Sequence, residues 1–165
     1  MTIATTRQSA DLKTDASFFA LLTESYARLV GTPLVPPGRD ATWLYRDGSF
    51  VVLAHGPDPD PRFIYANKTA QDCFGYSWEE FLALPSRLSA ETQDGAERVR
   101  LLDQVRSDGF VSGYRGVRIA KSGRRFIIAG GVVWELIDKQ GTRHGQAATF
   151  SSWRDLNFGT GHGPA

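Results

Sequence analysis

Apolar residues along the chain mark out a short series of elements. Phe19, Leu22, Tyr26, Leu29 and Val30 recur at helical intervals, and Phe18 and Leu21 widen the stripe. This spacing predicts an amphipathic helix from an Asp15 cap to about Val30, ended by Gly31 and Pro33. Pro33, Pro36, Pro37 and Gly38 mark a connector, and Trp43-Leu44-Tyr45 fits one further helical turn. Phe50 to Ala54 is a continuous apolar run, as in a strand covered on both faces. A proline-rich loop from His55 to Pro61 separates it from Arg62-Phe63-Ile64-Tyr65, whose β-branched and aromatic residues suit a second strand.

Two short helices come next. Asn67 is placed to cap one that carries Ala70, Cys73 and Phe74 and stops at Gly75. Ser77 followed by Glu80 is a capping box for another, which carries Phe81 and Leu82 and closes at Pro85. Gly95 to Asp108 predicts a longer helix with Leu101, Leu102 and Val105 buried and Arg98, Arg100 and Arg106 on a solvated face. Three strands complete the chain, spanning Phe110–Ala120, Arg125–Asp138 and His144–Trp153, with turns at 121–124 and 139–141. The middle one is apolar on both faces, and Gly130-Gly131 within it suggests a bulge. In the last, His144, Gln146, Ala148 and Phe150 alternate with Ala147, Thr149 and Trp153.

This order predicts an α+β fold with a five-stranded antiparallel sheet and helices gathered on one face. Residues 15–155 read as one domain between a flexible N-terminus, 1–14, and a flexible tail, 156–165.

Composition narrows the classes. With 19 Lys and Arg against 18 Asp and Glu, the net charge of +1 gives no nucleic-acid footprint. One cysteine excludes an internal disulfide framework. A polar N-terminus without an apolar run, and no stretch long enough to span a bilayer, point to a cytoplasmic protein without membrane contact.

Catalytic motifs are absent from the sequence. There is no G-x-S-x-G elbow and no phosphate loop. His55, His144 and His162 are too scattered for a metal pair, and the Pro-Asp run at 57–61 lacks the ligand pattern of a calcium loop. Adjacent Glu79 and Glu80 face different directions on a helix, so they form no acid–base pair. The expectation is a protein that is not an enzyme and holds no metal.

The segment "ANKTA" followed by "FGYSWEEF" resembles the first half of a PAS domain. With "LPSRLSAE", "GFVSGYRGVRIAKSGRRF", "VVWELID" and "HGQAATFSSW", residues of roughly 15–155 resemble the MEKHLA family. That PAS-like domain also occurs at the C-terminus of plant class III homeodomain–leucine zipper proteins. The resemblance implies a PAS-like fold with an N-terminal cap helix, whose Phe19, Leu22, Tyr26 and Leu29 would serve dimerisation or only cover the chain's own sheet. It implies a sensory or regulatory module, no output domain being legible in this chain. Such a module binds a small, largely apolar ligand between sheet and helices and signals to a second copy or a separate protein. The alternatives are an interaction module with a filled core and no ligand and, behind it, a small enzyme using the pocket, which would need an acid–base set that the sequence does not show.

Candidate pocket residues are Asn67, Cys73, Arg87, Ser89, Tyr114, Arg118, Trp134, Gln146 and Thr149. Gln146 and Thr149 face opposite ways in a regular strand, so only one points inward unless a bulge intervenes. Arg87 could fork onto a carboxylate ligand or pair with Glu91. Trp134 could stack on a flat ligand or fill the core. Cys73 stands where PAS domains carry an apolar core residue, not in the Asn-Cys-Arg motif of flavin photosensors, and residues 95–109 offer no axial His for haem. Neither flavin nor haem is therefore the expected cofactor.

Overall fold

Asp15, Asp40, Asn67 and Ser77 each turn a side-chain oxygen onto a backbone N–H, and each begins a helix. The structure is a computed structural model and describes residues 12–90 and 95–156. The helices are α1 (Ala16–Val30), α2 (Ala41–Asp47), α3 (Lys68–Phe74) and α4 (Trp78–Leu82). The α4 start is the expected capping box: Glu80 N donates to Ser77 Oγ at 3.1 Å and Ser77 N to Glu80 Oε1 at 2.9 Å. A 3-10 turn, Ser86–Ser89, and α5 (Gly95–Asp108) lead into the second half of the sheet.

The strands are β1 (Val51–His55), β2 (Phe63–Ala66), β3 (Phe110–Ile119), β4 (Arg125–Ile137), β5 (Arg143–Phe150) and β6 (Trp153–Asp155). Five of them form one antiparallel path, β2-β1-β5-β4-β3. The sixth differs from expectation. The last strand does not run unbroken to Trp153. It breaks at Ser151-Ser152, and β6 then pairs with the first half of β4, Trp153 opposite Ile128. Trp153 thereby joins Phe150, edge to face with ring centroids 5.7 Å apart, instead of lying opposite it with Ala147 and Thr149.

The cause lies in β4. Tyr114 pairs with Gly131 but Gly116 with Ile128, so one extra residue is accommodated in β4, and Gly130 has φ 71. A side chain other than glycine rarely holds that conformation. The bulge reverses the alternation: Phe126 and Ile128 lie in one core cluster, whereas Trp134 and Leu136 lie in the other.

The two clusters are the two covered faces of the sheet. On one, Val51, Leu53, Ile128 and Phe150 pack with Phe74 of α3 and Phe81 of α4. On the other, Val52, Ala54, Trp134 and Ala147 lie beneath α1. The N-terminal helix is thus the expected cap, on the face opposite that cluster. Phe18, Leu22 and Tyr26 are buried and Phe19 and Leu29 half-buried in this interface, so the apolar stripe is used on the chain's own sheet. No helix among the described residues is long and apolar enough to cross a membrane. Most of the two expected flexible ends lies outside the described residues, as do Glu91 and His162.

Candidate ligand-binding site

Between the inner face of the sheet and α5 lies a cavity of about 70 Å³, taken as space open to the centre of a water-sized sphere. One water needs roughly 15 Å³ on that measure, so the cavity takes several waters or one small organic molecule. Its apolar wall includes Leu53 of β1, Leu101 and Leu102 of α5, Ile128 and Val133 of β4, and Phe150 of β5. Its polar groups come from Ser86, Ser89, Tyr114, Arg118, His55 and Gln146.

Strand pairing explains the convergence. Leu53 pairs with Ala148 and Ala148 with Val133, and two residues along, His55 pairs with Gln146 and Gln146 with Glu135. These rows stand on the same face because alternate residues of paired strands share a face. Beyond the bulge, Tyr114 and Arg118 of β3 rejoin that face. The Arg118 guanidinium lies 5.3 Å over the Tyr114 ring. Tyr114 in turn folds over Gly116, where an added Cβ would meet its hydroxyl at 2.3 Å.

Of the candidates from sequence, Ser89, Tyr114, Arg118, Gln146 and Thr149 meet at this cavity. Ser89 is buried and donates to Ser86 O at 2.8 Å. Thr149 borders the cavity, but its hydroxyl is held by Val51 O at 2.8 Å. The structure places the other four elsewhere. Asn67 is fully buried as a clamp: its Oδ1 accepts from Ala70 N and Val52 N, both at 3.1 Å, and its Nδ2 donates to Phe50 O at 2.9 Å and Leu44 O at 3.3 Å. Trp134 is fully buried on the α1 face, a consequence of the bulge. Arg87 is exposed and pairs with Asp60 at 3.0 Å, because an isolated bridge between Arg62 and Pro85 brings the loop before β2 beside the 3-10 turn.

Cys73 is buried in the aromatic cluster and is not on the cavity wall. Burial pushes its thiol up to about 11, against the opposing influence of Arg124. Such a thiol is a core residue with little thiolate character. His144 lies at the exposed end of β5, its Nε2 2.8 Å from Asp138 Oδ2. That contact, with the Thr142 and Gln140 amides, holds the Asp138 carboxyl below its usual range. Among the described residues no group of three His, Cys, Asp or Glu side chains is placed to hold a metal ion.

One functional candidate escaped the sequence. Glu135 is 1% exposed in the middle of the sheet. Its Oε1 is 2.5 Å from Arg143 Nε, and its Oε2 accepts from Gln146 Nε2 at 2.6 Å. Gln146 also donates to Leu102 O at 3.2 Å, while its Oε1 is buried with no partner among the described residues. A buried acceptor left unpaired costs about 1–3 kcal/mol. The available signal was a lone acid in the apolar run Val132-Val133-Trp134-Glu135-Leu136-Ile137.

The model of a family described as the MEKHLA domain matches residues 16–155. No curated protein matches the chain significantly. Solved structures match its fold. The PAS domain of a protein from Colwellia psychrerythraea aligns with a TM-score of 0.57 at 15% identity, covering 70% of this chain and 92% of that one. A fungal LOV domain photoreceptor aligns at 0.54 and 21% identity, covering 86% and 98%. A PAS domain from a two-component sensor histidine kinase aligns at 0.53 and 18%, covering 69% and 91%. At such identities the likeness is one of fold, the α+β PAS fold expected from the sequence.

Proposed function

The chain belongs to the MEKHLA domain family, and on that premise we propose that it is a non-enzymatic sensory module that binds one small, largely apolar molecule between sheet and helices. The observation that carries this reading is a mostly apolar cavity between sheet and helices onto which Ser86, Ser89, Tyr114, Arg118 and Gln146 converge. Binding pockets combine apolar walls with a few polar groups that fix orientation. A route for the signal is built into the same two strands. Glu135 and Gln146 are paired beside the cavity, and the next pair along, Trp134 and Ala147, lies under α1. A ligand that shifts β4 against β5 would therefore alter the seat of the cap helix, and a second copy or a separate protein would read that change.

The size of the cavity favours a second reading. About 70 Å³ is below the several hundred expected of a pocket for a metabolite-sized ligand. A ligand-free interaction module would have such a nearly filled core. Native mass spectrometry of the purified protein, repeated after denaturation and paired with an absorption spectrum, separates the two. The expected result is excess mass that disappears on denaturation. Bare mass together with a stable dimer would favour the interaction module.

A further inference from the structure

We infer that the cavity takes a small carboxylate with an apolar body, its charged end held by the Arg118 guanidinium. This inference rests on the reading of the cavity as a ligand site. Arg118 pairs with Phe126 across β3 and β4, and Gly116 with Ile128. Phe126 and Ile128 belong to the inner core cluster, so Arg118 stands on the inner face of the sheet. It is half-buried there and lines the cavity. The Tyr114 ring leans along β3 over Gly116, and the guanidinium lies 5.3 Å over that ring. An isolated bridge between Ala90 and Arg118 brings the end of the 3-10 turn, with Ser89, beside it.

What this arginine lacks is a counter-charge. Arg87, Arg100, Arg124 and Arg143 each meet a carboxylate, whereas Arg118 meets none among the described residues. One of its N–H groups donates to Val117 O at 3.3 Å, and its contact with the Tyr114 ring uses no N–H donor. Among the described residues no Asp or Glu lies on the cavity wall; Glu135, bonded to Gln146, is paired with Arg143 instead. A half-buried cation beside apolar walls favours an anion, and the planar guanidinium matches the two oxygens of a carboxylate. Leu53, Leu101, Ile128 and Val133 receive the apolar body. A cationic ligand meets repulsion from Arg118, and a neutral one leaves its charge uncompensated.

The test is an NMR titration of the full chain with benzoate, benzamide and benzamidine. The three share a shape and carry a negative charge, no charge and a positive charge. Benzoate is expected to shift the Arg118 Nε–H resonance together with those of Leu53, Val133 and Ala148. It should bind at least about tenfold more tightly than benzamide, the worth of one charge-assisted hydrogen bond. Arg118→Gln should abolish that preference and leave benzamide binding unchanged, and Arg118→Lys should keep part of it. A preference retained in Arg118→Gln overturns the role given to Arg118. The comparison of benzoate with benzamide in the unaltered chain stands even if a variant folds poorly. Equal binding of the two at the cavity, or tightest binding by benzamidine, overturns the carboxylate class and leaves the ligand site standing. If none of the three shifts the cavity resonances at millimolar concentration, whatever benzoate does at exposed arginines such as Arg87, the ligand site itself is overturned, and this inference with it.

Discussion

The indole nitrogen of Trp134 donates a 3.1 Å hydrogen bond to the Ser25 hydroxyl, joining the middle of the sheet to the cap helix. The Ser25 hydroxyl donates in turn to Leu21 O at 2.5 Å, and Tyr26 meets the Trp134 ring edge to face at 4.8 Å. Both Ser25 and Trp134 are fully buried. Ser25→Ala is therefore expected to leave an indole N–H unsatisfied and to lower stability by about 1–3 kcal/mol in urea denaturation. In a double-mutant cycle with Trp134→Phe, the serine should lose much of its effect, because the donor is already gone.

The Asn67 side chain makes four hydrogen bonds where β1, the end of β2 and α3 meet. It caps α3, accepts from β1 and donates to two carbonyls ahead of it. Asn67→Ala removes an N-cap and strands buried backbone groups, so a loss of about 2–4 kcal/mol is expected in urea denaturation.

Cys73 should be slow towards thiol reagents in the folded protein. With its pKa raised from 9.0 to about 11 by burial, its thiolate share at pH 8 falls from about a tenth to about a thousandth. Labelling with a disulfide reagent at pH 8 should be at least about a hundredfold slower in buffer than in urea. The sign for stability follows. The folded thiol keeps its proton above the pH at which the unfolded one loses it, so this contribution is present below pH 9 and is lost as pH rises towards 11. Cys73→Ala should reduce that alkaline loss.

Arg87 carries a prediction of little change. Its ion pair with Asp60 is more than half exposed on both sides. Arg87→Ala should alter stability by less than about 1 kcal/mol, with no effect on retention of a bound molecule. A lost ligand in native mass spectrometry of this variant would place Arg87 at the site after all.

Local chemistry explains what was legible in advance. Asp15, Asn67 and the Ser77–Glu80 pair announce their helices because a cap acts within three residues of itself. Gly130-Gly131 announces the bulge for the same reason. The family, and with it the fold, could be read from ordered segments of sequence.

The amino-acid sequence by itself thus determined the elements up to the break between β5 and β6, their order and the PAS-like architecture, since caps, turns and periodicity act between near neighbours. Only the tertiary structure decided which side chains share a site. The bulge sends Trp134 to the α1 face, although Ile128, at the same parity, faces the opposite cluster. Asp60 reaches Arg87 from 27 residues away, and Glu135 finds Gln146 from 11 away through strand pairing. The phase of a strand and the partner of a charge depend on register and packing across the whole sheet.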